Sequence, residues 1–204
     1  AAMFLQGAGG DTKAAVIAQL DGQGAPRWSS GSWQDIQTAG DAVAREVIAA
    51  LDRGLAEVDP CLATAIIETH WPMGPLPDRA SLQAHLDQPG KPRAEWARRQ
   101  IDLLDRGLPL KESAAILVQG IALGQGLRLV AFEGELVGEL GDLVVRSYAG
   151  GVTFALGYSN GMGLYLPTSA MLEEGGYEAS SYWEYGYPAP LKKGVEETVR
   201  NALA

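Results

Sequence analysis

The chain has 204 residues, of which 47% are hydrophobic and 20% charged, a balance typical of a globular protein that buries one core or forms one large domain piece. Its formal net charge of -9 argues against nucleic acid or an anionic membrane surface as a partner. No run approaches the roughly 18 apolar residues of a membrane span, and a single cysteine excludes both an internal disulfide and a cysteine-based zinc knuckle.

The first residues predict a short strand followed by a glycine turn. The apolar run at residues 2–6 is expected to form a buried strand. Because the sequence starts inside that run, we expect the neighbours of the strand to be incomplete and apolar surface to be exposed beside it. The turn Gly7-Ala8-Gly9-Gly10 permits close backbone approach, and Asp11 then orients either a ligand or the loop. The turn lacks the Gly-Lys-Ser/Thr ending of a phosphate-binding loop.

The next segment predicts a loop, a long helix and a strand. Glycine, serine and proline at residues 22–32 favour a loop, and a helix is expected from Thr38 up to the Asp59-Pro60 break. Its apolar residues recur at helical spacing: Val43, Val47, Ile48, Leu51 and Leu55. Residues 63–69 are strand-like, and Cys61 opens this apolar run, so we expect a buried structural thiol.

Strands and helices alternate through the rest of the chain. Helices are predicted at residues 80–86, 93–106 and 195–203, a hairpin at 113–123 and 127–132, a helix-compatible stretch at 136–147, a strand at 152–158 and aromatic loops after Thr168. This order predicts an α/β fold in which a mixed sheet is layered with helices, in no assigned strand order. Residues 1–204 are expected to form a single domain or the C-terminal part of a larger one.

Glu135 and Tyr165 are the main candidate site residues. Each follows a strand-like run that ends at a glycine-containing turn, which is a common position for ligand-binding side chains. Two simpler interpretations stay open. Glu135 is also suited to cap the helix that follows, because carboxylates favour helix N-termini, and Tyr165 is also suited to packing.

Three other groups of residues are candidates for a functional site. His70 alternates with Glu68 on one strand face, a spacing compatible with a metal but also with polar packing, and His85 is expected to be exposed. Gly157-Tyr158-Ser159-Asn160-Gly161 matches the G-x-S-x-G pattern, but no histidine follows Ser159 and no helix is predicted after it. The aromatic residues of 177–187 suit either an apolar substrate groove or packing of the C-terminal loops.

Four motifs in order resemble the C-terminal half of the conserved domain of the neutral/alkaline non-lysosomal ceramidase family. They are Phe4-Leu5-Gln6-Gly7-Ala8-Gly9-Gly10-Asp11, Val130-Ala131-Phe132-Glu133-Gly134-Glu135, the stretch from Gly157-Tyr158-Ser159-Asn160 to Tyr165-Leu166-Pro167-Thr168, and Gly175-Gly176-Tyr177-Glu178-Ala179. The match is weakest over residues 21–109.

The resemblance implies a zinc-dependent hydrolysis of an N-acyl amide or a similar lipid-like small molecule. In that family two histidines, a glutamate and a tyrosine hold the metal, and the last two correspond to Glu135 and Tyr165. Tyr165, Asn160 and Asp11 are implied as catalytic or site-shaping residues. The two histidines lie upstream of the Gly-Asp motif, so an N-terminal segment outside this sequence is expected to supply them. A family serine is replaced by Lys13, which makes a ceramide substrate doubtful.

These features lead to two functional hypotheses. The first is a ceramidase-like zinc amidohydrolase, of which this chain carries part of the catalytic domain. The alternative is a non-catalytic fragment or a metal-free relative that serves as a structural or binding module.

Overall fold

The computed structural model of the protein describes residues 3–86 and 92–204, apart from the side chain of Pro26. The chain divides into two compact units. The smaller one is Thr12–Asp59, and the larger one joins the residues up to Asp11 with Pro60–Ala204.

The smaller unit consists of a hairpin and one long helix. A 3₁₀ turn at Ala15–Ile17 leads into the antiparallel strands β1 (Ala18–Leu20) and β2 (Pro26–Trp28), and helix α1 (Trp33–Asp52) follows. Part of the predicted loop at residues 22–32 is therefore strand.

Helix α1 begins five residues before Thr38 because Ser32 caps it. The Ser32 side chain accepts a hydrogen bond from the Asp35 backbone N–H, and the Asp35 carboxylate accepts one from the Ser32 backbone N–H. The apolar residues at helical spacing lie on this helix as expected up to Leu51, but they are exposed.

The larger unit contains six strands and six helices among its described residues. The strands are β3 (Pro60–Pro72), β4 (Ser113–Gly124), β5 (Leu127–Phe132), β6 (Glu135–Leu136), β7 (Val152–Leu156) and β8 (Tyr165–Leu166). The helices are α2 (Arg79–Leu86), α3 (Pro92–Asp105), α4 (Gly138–Arg146), α5 (Ser169–Glu174), α6 (Tyr177–Ser180) and α7 (Val195–Leu203), with a 3₁₀ turn at Ser181–Trp183.

The main sheet has four strands in the order β3-β4-β5-β7. Strand β4 pairs antiparallel with both β3 and β5, whereas β7 runs parallel to β5. Parallel neighbours need a crossover connection, and helix α4 lies between β5 and β7 in the chain. The short strands β6 and β8 form a separate parallel pair. The predicted α/β class with a mixed sheet and layered helices is confirmed.

The core lies between the main sheet and helices α4 and α7. Its fully buried side chains include Trp71, Phe132, Leu140, Val144 and Val199. Burying a side chain of this size contributes about 1.5–3 kcal/mol, so these contacts hold helices α4 and α7 against the sheet. A second cluster joins α2 to α3 and is made of Leu82, Trp96, Ala97 and Ile101.

Two predictions of buried structure are wrong. Residues 3–6 form no strand, and Met3 and Phe4 are 85% and 82% exposed; the next residue, Gly7, forms an isolated bridge to Leu156. An apolar run becomes a strand only where a neighbour takes up its backbone hydrogen bonds. Residue 2 of that predicted strand lies outside the described residues. Cys61 is exposed, as are all of the first nine residues of β3, which is the edge strand of the main sheet.

None of the helices in the described part of the chain has both the length and the apolar character that crossing a bilayer requires.

Candidate functional site

The candidate site lies where two parallel strands end. Glu135 follows the carboxyl end of β5, and Tyr158 follows the carboxyl end of its parallel neighbour β7. Ligands of α/β proteins bind preferentially outside the carboxyl ends of parallel strands, because the loops there converge.

The pairing of β6 with β8 brings Glu135 next to Tyr165. The two residues are direct partners in the parallel register, and the Glu135 backbone N–H donates to the Leu164 carbonyl over 2.8 Å. Side chains at paired positions project to the same face, so the structure joins these two sequence-predicted residues in one place.

Tyrosine hydroxyls surround the carboxylate of Glu135. The Tyr158 hydroxyl donates to Oε2 over 2.9 Å, and the Tyr185 hydroxyl donates to Oε1 over 2.7 Å. Glu135 is itself only 8% exposed. A buried carboxylate is costly unless its oxygens receive hydrogen bonds, and these two phenols supply them.

The same surroundings keep the tyrosines neutral. Burial, followed by the hydrogen bond to Glu135 and the charge of that residue, raises the pKa of Tyr158 to about 12, and the charge of Asp11 adds to the shift. Burial and then the hydrogen bond and charge of Glu135 also raise the pKa of Tyr165 and of Tyr185 well above the usual value. All three are therefore hydroxyl donors at neutral pH.

Further aromatic rings line one side of Tyr165. The Tyr165 ring meets those of Tyr177 and Tyr185 edge to face, with centroid separations of 5.5 and 6.2 Å. Tyr177 is 53% exposed and stands at the solvent side of this group. The site is thus open to solvent on the side of Tyr177 and closed by Glu135.

The glycine turn at residues 7–10 approaches the backbone of the site. The Gly10 N–H donates to the Leu136 carbonyl over 2.9 Å, and a Cβ at Gly10 would lie 2.6 Å from the Glu135 carbonyl oxygen. The Asp11 Oδ1 accepts the Gly138 N–H over 2.8 Å, which satisfies the first turn of α4. Asp11 therefore orients the start of this helix, and its carboxylate is exposed.

Asn160 and Glu133 hold the loop that leads to Tyr165. Asn160 has a φ of 63° and donates through Nδ2 to the Gln119 Oε1 over 3.0 Å. The Glu133 Oε2 accepts the Leu117 N–H over 3.1 Å, and its other oxygen occupies the space beside Gly161. Asn160 thus holds its loop against β4 and forms this hydrogen bond with Gln119 and not with Glu135.

The histidines lie apart from this group of tyrosines. His70 Nε2 lies 3.5 Å from Glu68 Oε1 on an exposed face of β3, which confirms that these two residues share a face. His85 was expected to be exposed but is half-buried, because its ring packs 5.5 Å from that of Trp96. Ser159 donates to the Gly157 carbonyl, and no helix follows it before Thr168, so the nucleophile-elbow geometry is absent from this described segment.

Sequence reasoning missed Tyr158 and Tyr185 as site residues. Tyr158 was assigned to the strand before the turn, whereas β7 ends at Leu156 and Tyr158 has a φ of 53°. A non-glycine residue held at positive φ is uncommon and indicates a constrained position. Tyr185 lies in the aromatic stretch 177–187. In that stretch Tyr182 and Tyr187 pack against the core, as the packing interpretation predicts, whereas the Tyr185 hydroxyl donates to Glu135.

The donor set of this site consists of oxygen atoms. Glu135 offers a carboxylate and Tyr165 a phenol, both of which are zinc ligands in proteins, while a complete shell needs at least three. Within residues 3–86 and 92–204 no group of three or more histidine, cysteine, aspartate or glutamate side chains converges to hold a metal. Glu135 and Tyr165 are thus two oxygen donors, fewer than the three that such a shell needs.

Comparison with protein-family models gives no match, and comparisons with curated proteins and with solved structures find no significant relative.

Proposed function

We propose that this chain carries part of the active site of a ceramidase-like, zinc-dependent amidohydrolase. The observation that supports the proposal is the pairing of Glu135 with Tyr165 at the carboxyl ends of the parallel strands. Glu135 and Tyr165 would each hold the metal through oxygen, and two histidines from a segment outside this sequence would complete the shell. Bound zinc would activate water and polarise the amide carbonyl.

The tyrosines have defined roles in this proposal. A hydroxyl that stays protonated at neutral pH can donate to the oxyanion that forms when water attacks an amide carbonyl. Tyr165 stands beside Glu135, so it would serve either as the zinc ligand or, where it does not bind the metal, as this hydroxyl donor. Tyr158 and Tyr185 hold the Glu135 carboxylate in one orientation through its two oxygens. In the overall reaction the C–N bond breaks, a C–O bond forms, and the amine leaves with a proton from water.

A zinc titration of the chain tests this proposal. We expect weak zinc binding, well under one equivalent after dialysis, because this chain supplies only two of the ligands. Glu135→Gln and Tyr165→Phe should each abolish that weak binding, whereas Tyr177→Phe should not, since its hydroxyl donates to Glu184. Unchanged zinc affinity in both site variants would contradict the proposal. Stoichiometric zinc that survives dialysis would mean that other residues, such as His70, complete the shell.

A non-catalytic role has its own supporting observation. Both carboxylate oxygens of Glu135 already accept a tyrosine hydroxyl, so the fold satisfies this group without an ion. In that case the tyrosine group stabilises the loops of a binding or structural module. The titration separates the two functions, because such a module has no zinc affinity that depends on Glu135.

A further inference from the structure

A basic groove adjoins the candidate site through Tyr185. It has a volume of about 600 Å³, and its lining includes Arg98, Arg99 and Gln100 of helix α3, together with Lys111 and Tyr185. Three cations in one groove stand out in a chain whose net charge is -9. Such a concentration of cations favours an anionic ligand.

The acidic residues of the groove leave part of this charge free. Glu95 and Asp102 also line the groove. Glu95 forms ion pairs with Arg98 over 2.5 Å and with the Nε of Arg99 over 3.3 Å. Asp102 pairs with Arg106. The Arg99 contact with Glu95 uses Nε, which leaves the terminal nitrogens of the guanidinium as donors for a ligand.

Lys111 supplies the second available cation. Its Nζ lies 5.0 Å from the centroid of the Tyr187 ring, and among the described residues it forms no ion pair with a carboxylate. The groove therefore has more cations than carboxylates, and an anion can bind between guanidinium and ammonium groups.

Tyr185 forms part of both the groove and the candidate site. Its hydroxyl donates to Glu135 over 2.7 Å, while the residue also lines the groove. Helix α3 holds the two residues that follow Tyr185. Gln100 Nε2 donates to the Gly186 carbonyl, and Trp96 Nε1 donates to the Tyr187 carbonyl. A ligand in the groove is thus held beside the residue that contacts Glu135.

We propose that the basic groove binds the carboxylate of an N-acylated amino acid whose amide reaches the Glu135 and Tyr165 site. This inference rests on the proposed amidohydrolase function and names its substrate class. An N-acylated amino acid carries its carboxylate next to the amide, so one ligand can engage both places. Such a substrate also differs from ceramide, because the head group of ceramide is neutral.

The test compares two ligands that differ in charge. Binding of N-octanoylglycine and of the neutral N-octanoylethanolamine is measured by calorimetry on the full chain, without added metal. We expect the glycine conjugate to bind about tenfold more tightly, because a charge-assisted hydrogen bond replaces a neutral one. Arg99→Gln and Lys111→Gln should each remove this preference. Arg200→Gln is the matched control, since Arg200 pairs with Glu197 on helix α7 and neither of these residues lines the groove.

The outcomes separate this inference from the proposed function. Equal affinity for the two ligands, no binding of either, or a loss of preference in Arg200→Gln as large as in the groove variants would overturn the proposed carboxylate binding in the groove. A preference that depends on Arg99 and Lys111 supports it, even if the zinc titration of Glu135 and Tyr165 variants fails. In that event the groove is an anion site and the amidohydrolase proposal falls alone.

Discussion

Glu135 is the residue on which the candidate site depends. Its carboxylate is buried, and its two oxygens accept hydrogen bonds from tyrosines that come from different loops, one after β7 and one after the 3₁₀ turn at Ser181–Trp183. A hydrogen bond to a charged group is worth more than a neutral one, and removing one partner leaves the other uncompensated. The carboxylate therefore ties two loops together.

Removing the Tyr185 hydroxyl should destabilise the larger unit. We expect Tyr185→Phe to lower the free energy of unfolding by about 1–2 kcal/mol, because one oxygen of the buried carboxylate loses its donor. Tyr177→Phe is the control, since the Tyr177 hydroxyl contacts the exposed side of the site through Glu184. Urea denaturation measures both. Equal effects in the two variants would show that Glu135 does not depend on the Tyr185 hydroxyl.

Stability should also fall at high pH because of the tyrosines. The pKa of Tyr158 is raised from 10.0 to about 12, so the folded state retains a proton that the unfolded chain has lost in this range. The contribution to stability is full below pH 10 and is lost as the pH rises through 12.

Urea midpoints across this range, together with the absorbance of tyrosinate, measure the effect. Glu135→Gln should lower the pKa of Tyr158 towards its usual value but not fully, since burial is the larger cause. An alkaline titration in which Glu135→Gln leaves every tyrosine unchanged would contradict the assigned contact.

Asp11 acts at the scale of helix α4. The cap residue Val137 offers no side-chain acceptor, and Asp11 accepts the Gly138 N–H instead. We expect Asp11→Ala to cost about 1 kcal/mol, the usual effect of removing a helix cap, and Asp11→Asn to cost less because it keeps an acceptor oxygen. Thermal unfolding measures both variants. If Asp11→Ala leaves stability unchanged, Asp11 does not cap α4, and a role towards a ligand gains weight.

The turn between β5 and β6 requires a glycine. Gly134 has a φ of 105°, and a Cβ there would lie 2.5 Å from the Leu164 carbonyl oxygen, next to the β6–β8 pair. Gly134→Ala should cost about 3 kcal/mol through strain and overlap. Gly107→Ala is the matched control, since its φ is 69° and nothing lies within 4 Å, so only about 1 kcal/mol is expected. Chemical denaturation that gives the same loss for both would contradict the backbone contact.

Elements with strong local patterns were predictable from the sequence, whereas contacts between loops were not. The hairpin of β4 and β5 and the terminal helix α7 were confirmed because glycines and helical periodicity mark them locally. The same reasoning put Glu135 and Tyr165 after strand ends. It could not place the Tyr185 hydroxyl, because a contact over 50 residues depends on how α3 holds the C-terminal loops. The apolar run at residues 3–6 failed for a related reason: pairing depends on a neighbour.

The two compact units of the molecule differ in how much they bury. The described side chains of Thr12–Asp59 include none that is buried, whereas the larger unit has an extensive core. Backbone hydrogen bonds without buried contacts open readily.

Hydrogen exchange of the whole chain should therefore be faster in α1 than in β4 and β5. Mass spectrometry of peptides from α1 and from the central strands gives this comparison within one sample, with α7 as an internal control for helical structure that packs on the core. Protection of α1 equal to that of β4 would contradict the expectation and show that its apolar residues are covered in solution.

The outer edge of β3 affects how the protein behaves when it is concentrated. This strand of 13 residues ends the main sheet, and apolar side chains such as Leu62 and Ile66 are exposed along it. Natural proteins shield such an edge with charges, bulges or short length, because its free N–H and C=O groups can pair with any other extended segment. Within Pro60–Pro72 the acidic and basic residue types are limited to Glu68 and His70. Two copies brought together at this edge would extend the sheet across both chains. The degree of association would then depend on protein concentration and added salt, so both need to be fixed in every measurement on this molecule.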